Sequence, residues 1–380
     1  MQGHRSGGGS VQNVMRTQMQ AGMAALQAGN LEEARSVFSL LLEANPELAL
    51  AQVGLGRVYA LEGTHDRALE HFQAALKIKP DFAPAIMFSA QAREKLGMSD
   101  DAMDDYRHAV ELDPKLSLGY FRMARGMVSE GRNDEALVTL REAVAHSPQD
   151  ASLRLMLANA LDRAGENAEA EYRHVIELKP DLWIAHFQLG RSLLGKNEFG
   201  AARDSLARAA SLASDKPQIH QSLGAAYVGL DDHAHAAKSF DEAFRLKPSN
   251  FLAAVKGAQS RSALGKHREA LEVLLNLGRM ARRSPLVQRA MGDVYFASEK
   301  WTEAAECYRA MVLNSESIAK ASPDLLELIK EPAGPDAAAD ARKLHDALSE
   351  RAQRVSRNLR SDPSKAQSWL RERRANRAVN

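Results

Sequence analysis

A single cysteine, Cys307, stands among the 380 residues. One thiol can close no intramolecular disulfide and supply no cysteine-cluster metal site. Long apolar runs are missing too. No stretch approaches the ~18 uninterrupted apolar residues that a membrane-crossing helix needs. The first ten residues, MQGHRSGGGS, lack the apolar segment of a secretory leader. Residues 1–14 are therefore expected to be flexible and the protein cytoplasmic. Aromatics are only 6% of the chain, low for a β-sandwich and ordinary for an alanine-rich helical protein. Nor is there excess charge of one sign: 50 Lys and Arg face 49 Asp and Glu. The chain as a whole is no polyanion binder, so nucleic acid is not an expected partner. What is there, 45% hydrophobic and 26% charged residues, is the balance of a folded chain.

Catalytic signatures are equally scarce. Residues 190–197, GRSLLGKN, come close to a phosphate-binding loop. Asn197, however, stands where a magnesium-binding hydroxyl belongs, and no strand precedes the stretch. The run Asp231-Asp232-His233-Ala234-His235 has metal-ligand residue types, but lies between two expected helices, where acidic side chains cap the next one. His186 and His220 share a repeat position but have no third ligand in view. Cys307 reads as a small hydrophobe inside a helix. No nucleophile is paired with a base by motif. No enzyme activity, cofactor or metal is expected.

What the chain does have is internal repetition, which decides the fold before any other signal. The prolines closing ALEHFQAALKIKP and AMDDYRHAVELDP, Pro80 and Pro114, are 34 residues apart. Extending that frame gives nine units starting at residues 15, 49, 83, 117, 151, 183, 217, 251 and 285, over 15–318. The eighth column is small throughout, from Gly22 and Gly56 to Ala258 and Gly292. The twentieth is alanine in all nine units, from Ala34 to Ala304. The twenty-fourth is large: Phe38, Phe72, Tyr106, Leu140, Tyr172, Leu206, Phe240, Leu274 and Tyr308. Glycine separates the halves of most units and proline closes most of them.

These columns describe two helices per unit. Helix axes approach within about 8–10 Å only where the contact residues are small, which is the role of columns 8 and 20. The large residue at 24 fills the space toward the next unit. Glycine after the first helix supplies a left-handed cap, and proline ends the second.

The pattern resembles the tetratricopeptide repeat, with Leu55-Gly56-x-x-Tyr59 and Leu223-Gly224-x-x-Tyr227 as its fullest first-helix signatures. The resemblance implies an all-α protein: a right-handed α-solenoid, or superhelix, of antiparallel helix pairs. First helices then line a concave groove, and C-terminal helices follow. The fifth unit is two residues short between Gly165 and Ala168, which predicts a tight turn and a kink there.

Residues 319–380 fall outside the period. A long helix is expected after the break EPAGPDAAAD, with Ala341, Leu344, Leu348, Ala352, Val355 and Leu359 along one face. A last short helix is expected around Trp369. Residues 351–380 carry a net charge of +7. The segment reads either as a cap on the last repeat or as an anion-seeking contact through Arg354, Arg357, Arg360, Arg371, Arg373, Arg374 and Arg377. The latter would serve an acidic partner, nucleic acid, a membrane surface or acidic repeats of another copy of the chain.

In tetratricopeptide proteins, positions 5 and 9 of the first helix commonly face the groove. The resemblance places Arg57, Gln91, Arg125, Asn159 and Arg191 there, with Phe121 and Phe187 beside them and Arg122 at the rim. Arginine forks suit carboxylates and peptide carbonyls. The competing role for these side chains is ion pairing within the groove, to Glu94 and Asp162. The expected function is a non-catalytic scaffold or adaptor that holds an extended, acidic peptide or partner protein for assembly or targeting of a larger complex. Two alternatives are the N-terminal region of a longer sulfotransferase or glycosyltransferase, and a peripheral membrane organiser using the basic tail.

Overall fold

The computed structural model describes residues 7–315, 325, 328–329 and 336–361. Among them it contains twenty helices and no strand. The chain divides into two compact bodies, Met1–Asp181 and Leu182–Asn380. The first body holds five helix pairs: α1 (Gly7–Gln27) with α2 (Leu31–Ala44), α3 (Ala49–Leu61) with α4 (His65–Ile78), α5 (Ala83–Lys95) with α6 (Ser99–Leu112), α7 (Ser117–Ser129) with α8 (Asn133–His146), and α9 (Ala151–Ala164) with α10 (Glu169–Leu178). The second holds α11 (Trp183–Gly195) with α12 (Phe199–Leu212), α13 (Pro217–Gly229) with α14 (His233–Leu246), and α15 (Phe251–Ala263) with α16 (His267–Leu275). It continues through α17 (Arg279–Arg282), α18 (Pro285–Ala297), α19 (Trp301–Leu313) and α20 (Ala337–Ser361).

Packing follows the repeat columns. Every position-20 alanine is at most 2% exposed, and every large position-24 residue at most 3%. Phe38 shows why the opposing positions are glycine. A Cβ on Gly22 would lie 2.8 Å from its ring, and one on Gly54 of the next repeat 2.6 Å. The ring is thus clasped by two successive first helices, and burying it contributes about 2–3 kcal/mol. Stability therefore passes from neighbour to neighbour, since no pair encloses its own apolar face.

Six interhelical turns close on glycine in the left-handed region, with φ between 75° and 82°. The equivalent residue in three turns of the second body is Asn197, Asp231 or Glu299, with φ of 62°, 61° and 58°. Left-handed backbone costs a residue with a Cβ about 1–2 kcal/mol. Asn and Asp offset part of that locally; Glu299 does not. The Asp231–His235 run caps a helix: the Asp232 carboxylate accepts from the His235 backbone N–H at 3.1 Å and contacts its Nδ1 at 2.7 Å.

Three places depart from the sequence expectation. In the fifth repeat the shortening falls on the second helix and not on the turn. Gly165 closes α9 as its counterparts close theirs, with φ 76°, but α10 has 10 residues where α8 has 14. The αL geometry is fixed by the ladder of the preceding helix, so the deletion is absorbed by the first turn of the next one. In the eighth repeat the second helix is broken. α16 stops after 9 residues at Leu275, Gly278 is extended, and α17 adds one turn. In the C-terminal helix the expected apolar stripe is buried at Ala341, Leu344 and Leu348 and interrupted at Ala352. Ala341, Leu344 and Leu348 pack against Ala304, Ala305, Tyr308 and Val312 of α19, and the His345 ring stacks on Phe296 at 4.4 Å. Ala352 is exposed. The side chains of Val355 and Leu359, and the helix expected around Trp369, lie outside the described residues.

Candidate partner-binding groove

First helices of successive repeats lie side by side, α1 with α3, α3 with α5, and α7 with α9 in the first body, and α11 with α13 in the second. Within each body these helices carry residues expected to bind a partner. The structure does not treat these residues alike.

Arg57, on α3, reaches across to α5. Its guanidinium carbon lies 4.9 Å above the centre of the Phe88 ring. One terminal nitrogen points to the Met23 sulfur at 3.9 Å. The side chain is half-buried, and burial lowers its pKa from the usual guanidinium value. Among the described residues no carboxylate pairs with it.

Arg122 and Arg125, on α7, both turn to one carboxylate, Glu94 of α5. Arg122 reaches it at 3.4 Å, and Arg125 makes the shorter contact. The Tyr106 hydroxyl, from the second helix of the same pair, donates to the other Glu94 oxygen at 2.9 Å. Burial and this hydrogen bond to an anion both raise the Tyr106 pKa, so the phenol stays protonated. Glu94 is thus the hub of a three-donor network. It separates two cavities, of about 170 and 390 Å³, which share Glu94 and Arg122 in their walls. The smaller also carries Phe88, Gln91 and His65, and the larger Met103 and Arg125.

Gln91 is half-buried and donates to the Met87 carbonyl at 3.5 Å. Phe121 is half-buried on α7. Asn159 accepts from the Tyr172 hydroxyl at 2.9 Å, as Asp293 does from Tyr308 at 3.0 Å. Position 24 thus supplies a hydroxyl to the groove face wherever it is tyrosine. The sequence columns contained that signal, although tyrosine was read there only for its size. In the second body Phe187 is buried and Arg191 lies over its ring at 5.7 Å. Arg191 also donates to the Gln188 side chain at 3.2 Å. Of the basic tail, Arg354 pairs with Glu350 at 3.6 Å and Arg357 reaches Gln353 at 3.5 Å. The side chains of Arg360, Arg371, Arg373, Arg374 and Arg377 lie outside the described residues.

Other candidates fall to structural roles. Residues 190–195 are the end of helix α11, and Asn197 occupies a left-handed turn. Cys307 is buried, and burial pushes its thiol up to about 11, far from thiolate reactivity. Among the described residues no cluster of three or more His, Cys, Asp or Glu is placed to hold a metal ion. No described helix is long and apolar enough to cross a membrane.

Comparison with known proteins bears on the fold. Three tetratricopeptide repeat models match the chain, one over residues 19–83 and 187–251, one over 127–173 and one over 83–116. No curated protein matches it in sequence. Among solved structures, the C-terminal part of a TPR repeat-containing protein from Cytophaga hutchinsonii superposes with a TM-score of 0.52 at 16% identity. That match covers 63% of this chain and 98% of the other. PilF of Pseudomonas aeruginosa gives 0.46 at 19% identity, covering 53% and 93%. YrrB, described as a TPR protein with an unusual peptide-binding site, gives 0.35 at 18%, covering 57% and 95%. Repeat columns, paired helices and family matches over more than half of the residues agree: the chain belongs to the tetratricopeptide repeat family, whose stacked helix pairs serve as scaffolds for protein–protein interaction.

Proposed function

We propose that this chain is a non-catalytic scaffold, and that the inner face of its first body seats an extended acidic segment of a partner protein with Arg57 as the anchor. The observation that carries this reading is the state of Arg57: half-buried, over an aromatic face, and without a carboxylate among the described residues. A guanidinium that has lost water without gaining an anion favours any carboxylate brought to it, because charge-assisted bonds strengthen as water is excluded. Phe88 holds the fork in place through a cation–π contact and offers apolar area beside it. Gln91, one turn along α5 from Phe88, can accept from or donate to a peptide backbone. Arg122 and Arg125 add weaker attraction, since their charge of +2 is half-compensated by Glu94.

The test is a fluorescence anisotropy titration with an extended glutamate–proline peptide. Arg57→Glu is expected to weaken binding by about 100-fold, near 2.7 kcal/mol, while the circular dichroism melt stays close to that of the parent. Undiminished binding by this variant would contradict the reading.

A further inference from the structure

A second surface lies within the second body, where the eighth repeat breaks. Leu277 and Ala281 remain in the core, so the break is anchored and turns its intervening residues outward. Met280 is 81% exposed, the most exposed large hydrophobic side chain among the described residues. Beside it stand Arg279 and Arg283, exposed, and Arg282, half-buried with its Nε enclosed and unpartnered. Among the described residues none of these three guanidiniums meets a carboxylate, whereas arginines elsewhere in the second body do: Arg245 with Glu242, Arg261 with Asp241 and Arg289 with Asp293.

Asn276, three residues before Arg279, lines a concavity of about 620 Å³ between α16 and the end of α18. Leu271, Leu275 and Tyr295 give it an apolar floor, and Arg268 and Lys300 stand at its edge with Glu272 as the one opposing charge.

We propose that this knuckle and groove form a docking surface for an acidic amphipathic helix of a partner protein. The apolar floor takes the leucine-bearing face of such a helix, Met280 adapts to its shape, and the three arginines meet its carboxylates. The groove is what selects a helix over a membrane: an anionic bilayer is flat and would leave the concavity unfilled. The surface is independent of Arg57, which belongs to the other body.

The test uses the whole chain and a fluorescein-labelled peptide of glutamate and leucine at helical spacing, read by anisotropy. Binding is expected to drop about tenfold or more in Arg279→Glu/Arg283→Glu and about threefold in Met280→Ser, whose exposed side chain carries no folding risk. It should remain unchanged in Arg57→Glu, which separates this surface from the groove. Equal binding by parent and Arg279→Glu/Arg283→Glu would overturn the proposal, as would no binding by the parent. Flotation of the parent, but not of that variant, with phosphatidylglycerol vesicles, together with no peptide binding, would also overturn it in favour of a lipid surface.

Discussion

Arg57 and Arg125 hold the same position in their repeats and end in opposite states. Arg57 is half-buried on an aromatic ring with no carboxylate. Arg125 is 52% exposed at its side chain and tied to Glu94. The difference is set by the preceding first helix. Twelfth in the repeat before Arg125 is Glu94; twelfth in the repeat before Arg57 is Leu26, a core residue that is 4% exposed. A repeated position is therefore not a repeated state. A side chain's type is given by its own column, while its pairing depends on a column one repeat away.

Several substitutions would break or sharpen this contrast. The largest effect belongs to Arg57→Glu, whose about 100-fold loss of extended acidic peptide tests whether the uncompensated site dominates. Next is Glu94→Gln, which removes the anion that Arg122 and Arg125 share. Titration with the same peptide should show about three- to tenfold tighter binding. Thermal unfolding should move to lower temperature, because two partly buried guanidiniums lose their counter-charge. Smaller again is Tyr106→Phe, which deletes one hydrogen bond to Glu94 and should cost about 1 kcal/mol in urea denaturation, with little change in peptide affinity. Glu299→Gly is the counterpart on the side of folding, setting a strained turn against its six glycine equivalents. It should stabilise the second body by up to about 1 kcal/mol, visible as a higher urea midpoint at constant slope.

Much of the fold was legible in the sequence because the constraint is local and repeated. An alanine that must touch a neighbouring helix, or a glycine that must adopt positive φ, leaves the same mark each time it recurs. Ala34 through Ala304 and Gly29 through Gly265 are such marks. The breaks were less legible. Nothing in the fifth repeat says whether a two-residue deletion shortens a turn or a helix; the fixed left-handed cap at Gly165 decides it. Gly278 within a helical pattern was the available sign of the broken helix, and a lone glycine there is often tolerated. The stripe of the C-terminal helix ran on past Leu348 in sequence, but the next residue on it, Ala352, is exposed. The groove was legible as a column of residue types. The pairing of Arg125 with Glu94, and the lack of a carboxylate for Arg57 among the described residues, depended on which side chains meet across neighbouring helices.

The most direct test of the contrast is a paired titration of Arg57→Gln and Arg125→Gln with the extended glutamate–proline peptide, repeated after raising salt to about 0.5 M to confirm that the attraction is electrostatic. The account predicts that Arg57→Gln loses at least about tenfold in affinity while Arg125→Gln loses about twofold or less. Equal losses, or a larger loss at Arg125, would contradict it.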